Sequence, residues 1–168
     1  TEPLMVTRIE DKNGNVLATF HPQYNEAISE QTAYLMLNLL EEVVNKGTGI
    51  RLRYRYNLPG VMGGKTGTTQ NHSDGWFMGV LPNLVSGVWV GAEDRSVRFE
   101  TIGMGQGANM ALPIYALFME KVFENGRLGV NPTDEWDVPL RGLNVNIDCD
   151  EQASSYEDNF EFYEDDFF

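Results

Sequence analysis

One short segment holds the residue types that could do chemistry, because residues 63–69 read Gly-Gly-Lys-Thr-Gly-Thr-Thr. A phosphate-binding loop would use such residues in the pattern G-x-x-x-x-G-K-T, placed directly before a helix. Here Pro59 occupies the position of the first glycine. The residues after Thr69 predict a turn into a strand, which could not supply a helix N-terminus to hold a phosphate. The sequence therefore argues against a phosphate-binding loop.

The second chemistry open to this segment is acyl transfer through a serine, in which a Lys-Thr-Gly strand borders the active site. A strand suits this role because its backbone can pair with an extended peptide. Since side chains alternate along a strand, Lys65, Gly67 and Thr69 should face one way and Thr66 and Thr68 the other. Gly67 would let a substrate approach closely. A backbone N–H just beyond Gly67 could stabilise an oxyanion.

The segment is predicted to lie in an antiparallel sheet. Three strand-like stretches follow one another at residues 61–69, 75–81 and 84–91, and their short connections force neighbouring strands to be antiparallel. The second and third stretches mix aromatic and β-branched residues, as the strands of a buried or half-buried sheet do: Trp76, Phe77, Met78, Val80, Val88, Trp89 and Val90.

Two helices should flank the sheet. Ser29 can cap the first, which runs to about Asn45 and stops at Gly47, because apolar residues recur at helical spacing between them. The second is predicted to begin near Asn109, after a glycine-rich loop at residues 103–107, with Pro113 in its first turn. It should end near residues 125–126, and its apolar face consists of Leu112, Ala116, Met119 and Phe123.

The remaining segments give weaker signals. Asn13-Gly14 between apolar runs predicts a β-hairpin over residues 5–20, and its glycine lies at the wrong position for a calcium-binding EF-hand loop. Arginine alternates with leucine and tyrosine over residues 51–56, a pattern that is compatible with an edge strand or with an extended loop. Residues 127–143 predict an extended wrap with Trp136 docked on the body of the domain.

Composition limits the classes of partner. The chain has 168 residues, enough for one domain, and a formal net charge of −13. Nine acidic residues lie in residues 148–168, so the rest of the chain is close to −4 and lacks the basic face that nucleic-acid binding needs. Cys149 is the single cysteine, and His21 and His72 lack the spacing of a zinc site. The sequence therefore predicts no metal, no cofactor and no nucleic-acid partner, and it has no apolar run long enough to cross a membrane.

The order and spacing of these segments resemble class A penicillin-binding proteins. The resemblance is carried by residues 59–69, 74–79 and 88–91, and it extends over roughly residues 5–125. It implies an α+β fold in which an antiparallel sheet is flanked by helices, a partial β-lactamase/transpeptidase-like fold. Residues 1–147 would be the C-terminal half of the transpeptidase domain. Residues 148–168 would be an acidic tail, either disordered or a docking peptide.

The resemblance also implies a function, a D,D-transpeptidase that cross-links peptidoglycan stem peptides and is acylated by β-lactams. Lys65 would then provide positive charge for a proton relay and for the terminal carboxylate of the substrate. Thr66 and Thr68 would bind that carboxylate, and the backbone N–H of Thr68 would form half of an oxyanion hole. Gly67 and Thr69 complete the substrate-binding strand.

Two motifs of the family, S-x-x-K and S-x-N, do not occur in this sequence, because no serine has Lys three residues later or Asn two residues later. We therefore expect the chain alone to be inactive, a soluble piece of a longer protein that acts at the periplasmic face of the cytoplasmic membrane. The sheet edge near residues 85–91 would be exposed and could cause self-association. One alternative is a non-catalytic binding or scaffold module of cell-wall synthesis. Another, a β-lactamase or carboxypeptidase of the same fold, fits residues 74–79 and 88–91 less well.

Overall fold

The computed structural model divides into two compact units, Thr1–Glu30 and Gln31–Phe168. The predicted hairpin forms in the first unit. The structure describes residues 4–145. Strands β1 (Arg8–Glu10) and β2 (Val16–Thr19) pair antiparallel in this first unit. Their turn is held by Asp11, whose carboxylate accepts hydrogen bonds from the backbone N–H groups of Asn13 and Asn15 at 2.8 and 2.9 Å.

A three-stranded antiparallel sheet forms the centre of the second unit, as predicted. It consists of β3 (Gly63–Thr68), β4 (Asp74–Leu81) and β5 (Leu84–Gly91) in the order β3-β4-β5. The register places Gly67 opposite Trp76, and Trp76 opposite Trp89. Within the described residues, β3 and β5 are therefore the two edges of this sheet.

Four helices accompany the sheet: α1 (Glu30–Asn45), α2 (Arg51–Tyr54), α3 (Ile102–Gly105) and α4 (Gly107–Glu124). Both predicted helices, α1 and α4, are present, so the predicted α+β fold is confirmed. Three members of the predicted apolar face of α4 are fully buried and Phe123 is partly buried.

The core lies between α4 and the inner face of β4. Phe77 of β4 and Tyr115 of α4 pack with ring centroids 4.7 Å apart and ring planes tilted by 51°. Gly79 lies directly under the Tyr115 ring, where any Cβ atom would overlap it. Glycine at this position therefore lets α4 pack closely on the sheet. The buried apolar cluster is completed by Val44, Leu52, Leu58, Met62, Leu81, Ala111, Leu112, Ala116, Met119, Val122 and Val130.

The prediction of a strand or extended loop at residues 51–56 was wrong, because Arg51–Tyr54 forms the single helical turn α2. This turn buries Leu52 completely. It also directs Arg53 to two polar partners, the Leu58 carbonyl at 2.7 Å and the Asn45 side-chain oxygen at 3.0 Å. One turn is too short to produce a helical period in the sequence, so only these tertiary contacts select it.

The predicted boundary before α4 was also wrong. Residues 103–105 of the expected glycine-rich loop belong to α3, and α4 begins at Gly107, two residues earlier than predicted. Pro113 consequently lies inside α4 rather than in its first turn. The early start has a tertiary cause, since the Gly107 N–H donates to the Thr68 hydroxyl of β3 at 3.0 Å.

The segment after α4 has no helix or strand through residue 145, in agreement with the predicted wrap. Trp136 is largely buried, and its indole N–H donates to Glu41 of α1 at 2.8 Å. The predicted docking of Trp136 is therefore confirmed. Within residues 4–145, no helix is both long and apolar enough to cross a bilayer.

Candidate active site

Strand β3 presents one unpaired edge within the described part of the chain. Its six residues pair with β4 along their whole length and with no other strand. The backbone groups of the opposite edge are therefore available to an extended peptide, which could pair with them as an additional strand. This is the arrangement that a strand-bound acyl-transfer substrate requires.

Thr66 and Thr68 lie on the same side of β3 and line one cleft of about 430 Å³. The Thr66 hydroxyl is 2.9 Å from the hydroxyl of Thr48, in the loop after α1. The Thr68 hydroxyl accepts the hydrogen bond from the Gly107 N–H at the start of α4. Each of the two hydroxyls is thus held by a different neighbouring element.

Glycines allow α4 to approach β3 this closely. A Cβ atom on Gly107 would overlap the backbone carbonyl oxygens of Gly67 and Trp76. Because backbone atoms cannot move aside as a flexible side chain can, Gly107 fixes the distance between the helix and the strand. The position of Thr68 in the cleft depends on this contact.

Lys65 lies outside the lining of the cleft. Its side chain is exposed, and its ammonium group donates to the Thr66 carbonyl oxygen at 2.8 Å. In the register of the sheet, Lys65 is opposite Met78 and Gly67 is opposite Trp76. The ammonium group lies against the backbone of β3, where a substrate could replace the Thr66 carbonyl as its hydrogen-bond acceptor.

The Thr69 side chain belongs to the turn between β3 and β4. Its hydroxyl is 3.1 Å from the Ser73 hydroxyl and accepts a hydrogen bond from the Asp74 N–H at 3.2 Å. The Thr69 N–H donates to the Asp74 carbonyl at 3.1 Å. These bonds close the turn and hold the end of β3 in place.

Several residues of the cleft were not predicted as site residues. Thr48 and Arg51 line it from the α1–α2 side, and Gln106 lines it from the start of α4. Arg51 donates to the Ala108 carbonyl at 3.1 Å and also to Asn109, so it ties α2 to α4. The two glycines around Thr48 indicated in the sequence that a helix ends there, which is only a weak signal for a site residue. Nothing in the sequence connected Arg51 with β3.

The chemistry of the cleft is that of an anion site. Its lining residues include three threonines, one tyrosine, one glutamine and one arginine, with no carboxylate among them. Such donors can bind a carboxylate by charge-assisted hydrogen bonds. Within residues 4–145, no three His, Cys, Asp or Glu residues lie close enough together to hold a metal ion.

Comparison with protein families agrees with this geometry. The family model described as the penicillin binding protein transpeptidase domain matches residues 1–97, more than half of the chain. The chain belongs to this family. The Lys-Thr-Gly strand and the sheet behind it lie within the residues that match the transpeptidase domain.

Two penicillin-binding proteins illustrate the similarity to relatives of the chain. It is 31% identical to penicillin-binding protein 1A of Aquifex aeolicus, covering 87% of this chain and 19% of that protein. It is 37% identical to penicillin-binding protein 1B of Escherichia coli, covering 64% of this chain and 12% of that protein. The chain thus spans less than a fifth of the length of these relatives.

A solved structure supports the fold. The 2.6 Å crystal structure of penicillin-binding protein 1A from Haemophilus influenzae matches with a TM-score of 0.60 at 23% identity. The match covers 83% of this chain and 25% of that one. At this identity the likeness bears on the fold alone, and it places the α+β arrangement described above within a transpeptidase fold.

Proposed function

We propose that this chain supplies the Lys-Thr-Gly strand of a serine-type peptidoglycan D,D-transpeptidase. Its substrates would be peptidoglycan stem peptides, and β-lactams would acylate the same site. The observation that carries this proposal is the unpaired edge of β3 beside a cleft lined by the hydroxyls of Thr66 and Thr68. A stem peptide would pair with β3, and its terminal carboxylate would bind these hydroxyls.

Membership of the family and the positions of the strand residues support the following roles. Lys65 and Thr68 would be the catalytic residues, with the Lys65 ammonium in the proton relay and the Thr68 backbone N–H in the oxyanion hole. Thr66 and Thr68 would bind the carboxylate, while Gly67 allows the substrate backbone to approach. Because the Thr69 hydroxyl is engaged in the turn, Thr69 would contribute through its backbone.

The acyl-transfer step needs a serine that this sequence does not provide in either family motif. In that step the serine oxygen bonds to the peptide carbonyl carbon, and the terminal residue leaves as an amine that takes up the serine proton. We propose that residues 1–147 are the C-terminal half of the domain and that the serine belongs to a preceding segment. The chain by itself should then show no covalent labelling by penicillin.

Intact-mass spectrometry after penicillin treatment tests this function. The chain alone should gain no mass. Co-expressed with the genomic segment upstream of it, the complex should gain one penicillin adduct, located on the upstream segment. Lys65→Ala should abolish the adduct or slow its formation by about 100-fold or more, as loss of an acid-base or electrostatic group does.

Lys121→Ala provides the matched control, because Lys121 is also an exposed lysine but lies in the last turn of α4, away from β3. This variant should label at the wild-type rate. An adduct on the isolated chain would mean that the nucleophile has been misplaced. Equal loss of labelling in both lysine variants would mean that Lys65 has no special role.

A non-catalytic scaffold module is the second candidate, and it is favoured by the lack of S-x-x-K and S-x-N in this sequence. It would be supported if the gene encoded no upstream S-x-x-K and the complex were never labelled. For either function, we propose that the parent protein acts at the periplasmic face of the cytoplasmic membrane. The predicted acidic tail, residues 148–168, lies outside the described residues, and its deletion should test whether it docks a partner.

A further inference from the structure

The wrap, residues 127–143, contacts the elements that form the walls of the cleft beside β3. One wall belongs to β3 and carries Thr66 and Thr68. The other carries Thr48, in the loop after α1, and Arg51 of α2. The residues that line the cleft include none of the wrap. The wrap can therefore act on the cleft only through its contacts with these elements.

On one side, the wrap rests on the chain that enters β3. Gly60, three residues before this strand, has a φ of 78°, a left-handed conformation that favours glycine. A Cβ atom on Gly60 would overlap the backbone carbonyl of Pro132. The Asn83 amide also donates to the Asp134 carboxylate at 3.0 Å, which ties the wrap to the turn between β4 and β5. The wrap is therefore fixed relative to the sheet.

On the other side, a chain of side-chain hydrogen bonds leads from the wrap to α2. The Trp136 indole N–H donates to one carboxylate oxygen of Glu41 at 2.8 Å. The other oxygen of Glu41 accepts a hydrogen bond from the Asn45 amide at 3.4 Å. The Asn45 side-chain oxygen in turn accepts one from the Arg53 guanidinium at 3.0 Å. The wrap is thus connected, through two residues of α1, to the second wall of the cleft.

The carboxylate of Glu41 sets the direction of every bond in this chain. A carboxylate accepts hydrogen bonds but cannot donate them, so Asn45 must turn its NH2 group toward Glu41 and its oxygen toward Arg53. Arg53 is partly buried; burial lowers its pKa, and the charge of Glu41 opposes this effect. Holding this guanidinium fixes α2, because a single helical turn has little stability of its own. Arg51 and Tyr54 of the same turn line the cleft.

We propose that Glu41 and Trp136 are positioning residues of the transpeptidase, which hold α2 against the sheet so that both walls of the cleft can contact one carboxylate. Neither residue would touch the substrate. Glu41 acts through Asn45 and Arg53, and Trp136 acts through Glu41. The inference rests on the proposed function for the identity of the substrate, whereas the hold of the wrap on α2 can be measured in the isolated chain.

Hydrogen exchange of the isolated chain, followed in ¹H–¹⁵N NMR spectra, tests the hold on α2. The amides of Leu52, Arg53 and Arg55 donate backbone hydrogen bonds in this turn. Glu41→Gln keeps the size of the side chain but leaves one oxygen acceptor in place of two. Trp136→Phe keeps an aromatic ring and removes the donor. Both variants should lower the protection of the three amides by about tenfold or more, while the amides of the central strand β4 keep theirs.

Two variants serve as controls for this experiment. Glu42→Gln is the matched one, because Glu42 is the next glutamate of α1 but is exposed and pairs with Lys46 at 2.8 Å. Val122→Ala controls for a general loss of stability, since it removes buried methyl groups from α4 and takes no part in the chain of hydrogen bonds. Neither variant should change the protection of α2 relative to that of β4. The spectra also report whether each variant keeps the wild-type fold.

Penicillin labelling of the complex with the upstream segment separates positioning from support of the fold. The dependence of the labelling rate on penicillin concentration gives a dissociation constant for the non-covalent complex and a limiting rate of acylation. Glu41→Gln and Trp136→Phe should raise the dissociation constant by about tenfold and leave the limiting rate within about threefold of the wild type. The limiting rate should hold because the Lys65 ammonium and the Thr68 N–H act from β3. Lys65→Ala should instead lower the limiting rate.

Unchanged protection of α2 in both variants, or an equal loss in Glu42→Gln, would overturn the proposal. So would a wild-type dissociation constant in the labelled complexes, because Glu41 and Trp136 would then support the fold alone. The exchange experiment needs no serine and no acylation, so it is independent of the test of the proposed function. Loss of α2 protection, with no labelling of any complex, would reject the transpeptidase role and keep the hold of the wrap on α2. Labelling with unaltered constants would reject the positioning role and keep the transpeptidase.

Discussion

Tyr115 has the largest of the fully buried side chains in the described part of the chain. Its ring packs on Phe77 and covers Gly79, but its hydroxyl and that of Ser86 have no hydrogen-bond partner there. Burial raises the pKa of Tyr115 far above its ordinary value, and the nearby Ser86 hydroxyl and Arg53 charge offset this only in part. The phenol is thus kept neutral in the folded protein.

The raised pKa predicts a pH-dependent stability. The unfolded chain ionises this phenol above about pH 10, whereas the folded protein does not, so the stabilisation is present below pH 10 and is lost as the pH rises. Tyr115→Phe removes this dependence. Between pH 10 and 11, the free energy of unfolding of the wild type should fall by up to about 1.4 kcal/mol more than that of the variant. Near neutral pH the two should differ little, because the hydroxyl removed has no partner.

Urea unfolding of both proteins between pH 8 and 11 measures this difference. If the two stability curves remained parallel over that range, the phenol would have to ionise equally readily in the folded and unfolded states. A large loss of stability in Tyr115→Phe near neutral pH would instead mean that its hydroxyl makes a stabilising hydrogen bond.

At the scale of elements, the contact between β3 and the start of α4 sets the geometry of the cleft. The helix begins where Gly107 meets the Gly67 and Trp76 carbonyl oxygens, and Thr68 accepts the first N–H of the helix. The hydroxyl thus satisfies one of the helix N–H groups that have no partner within the helix itself. The same contact therefore supports the fold and positions a substrate-binding strand.

Gly107→Ala tests this contact. The added methyl group would collide with backbone carbonyl oxygens, so the strand and helix must separate, at a cost of about 1 to 3 kcal/mol in the free energy of unfolding. Gly126→Ala is the matched control, because a Cβ atom there meets nothing within 4 Å. It should change stability by no more than about 0.5 kcal/mol. Urea denaturation of the two variants gives both values, and equal stabilities would show that β3 and α4 can adjust without cost.

At the scale of the whole molecule, the outer face of the sheet is unusually apolar for an exposed surface. Trp76 and Trp89 are 45% and 47% exposed, their ring centroids are 6.5 Å apart, and Val85 is 64% exposed. Within the described residues β5 has no partner on its outer side, so its backbone N–H and C=O groups form an open edge. Such an edge favours pairing with another strand. We propose that isolated copies of the chain associate through β5.

Val85→Lys should oppose this association, because a charge on an edge strand disfavours edge-to-edge pairing. In sedimentation velocity experiments, the wild type should form dimers in the micromolar range, and the variant should need at least about tenfold higher concentrations. Leu128→Lys is the control, since Leu128 is 55% exposed but lies outside the sheet. A wild-type protein that stayed monomeric, or two variants that dissociated equally, would contradict pairing through β5.

The sequence alone determined the family and most of the local elements. Aromatic and β-branched residues with short turns predicted three antiparallel strands, and helical spacing predicted α1 and α4, because these patterns depend on neighbours in the chain. The motifs at residues 59–69, 74–79 and 88–91 were sufficient for the resemblance to the transpeptidase family. The roles of Lys65, Thr66, Gly67, Thr68 and Thr69 stay predictions, which the labelling experiment tests.

Only the tertiary structure decided the features that depend on residues distant in sequence. The helical turn α2 exists because Leu52 is buried and Arg53 reaches partners outside it. The start of α4 is fixed by a contact with β3, some 40 residues earlier. Likewise Thr48 and Arg51 reach the cleft through packing alone. Helix and strand propensities, and the spacing of apolar residues, depend only on residues that are close together in the sequence. These contacts instead arise from how the segments pack together.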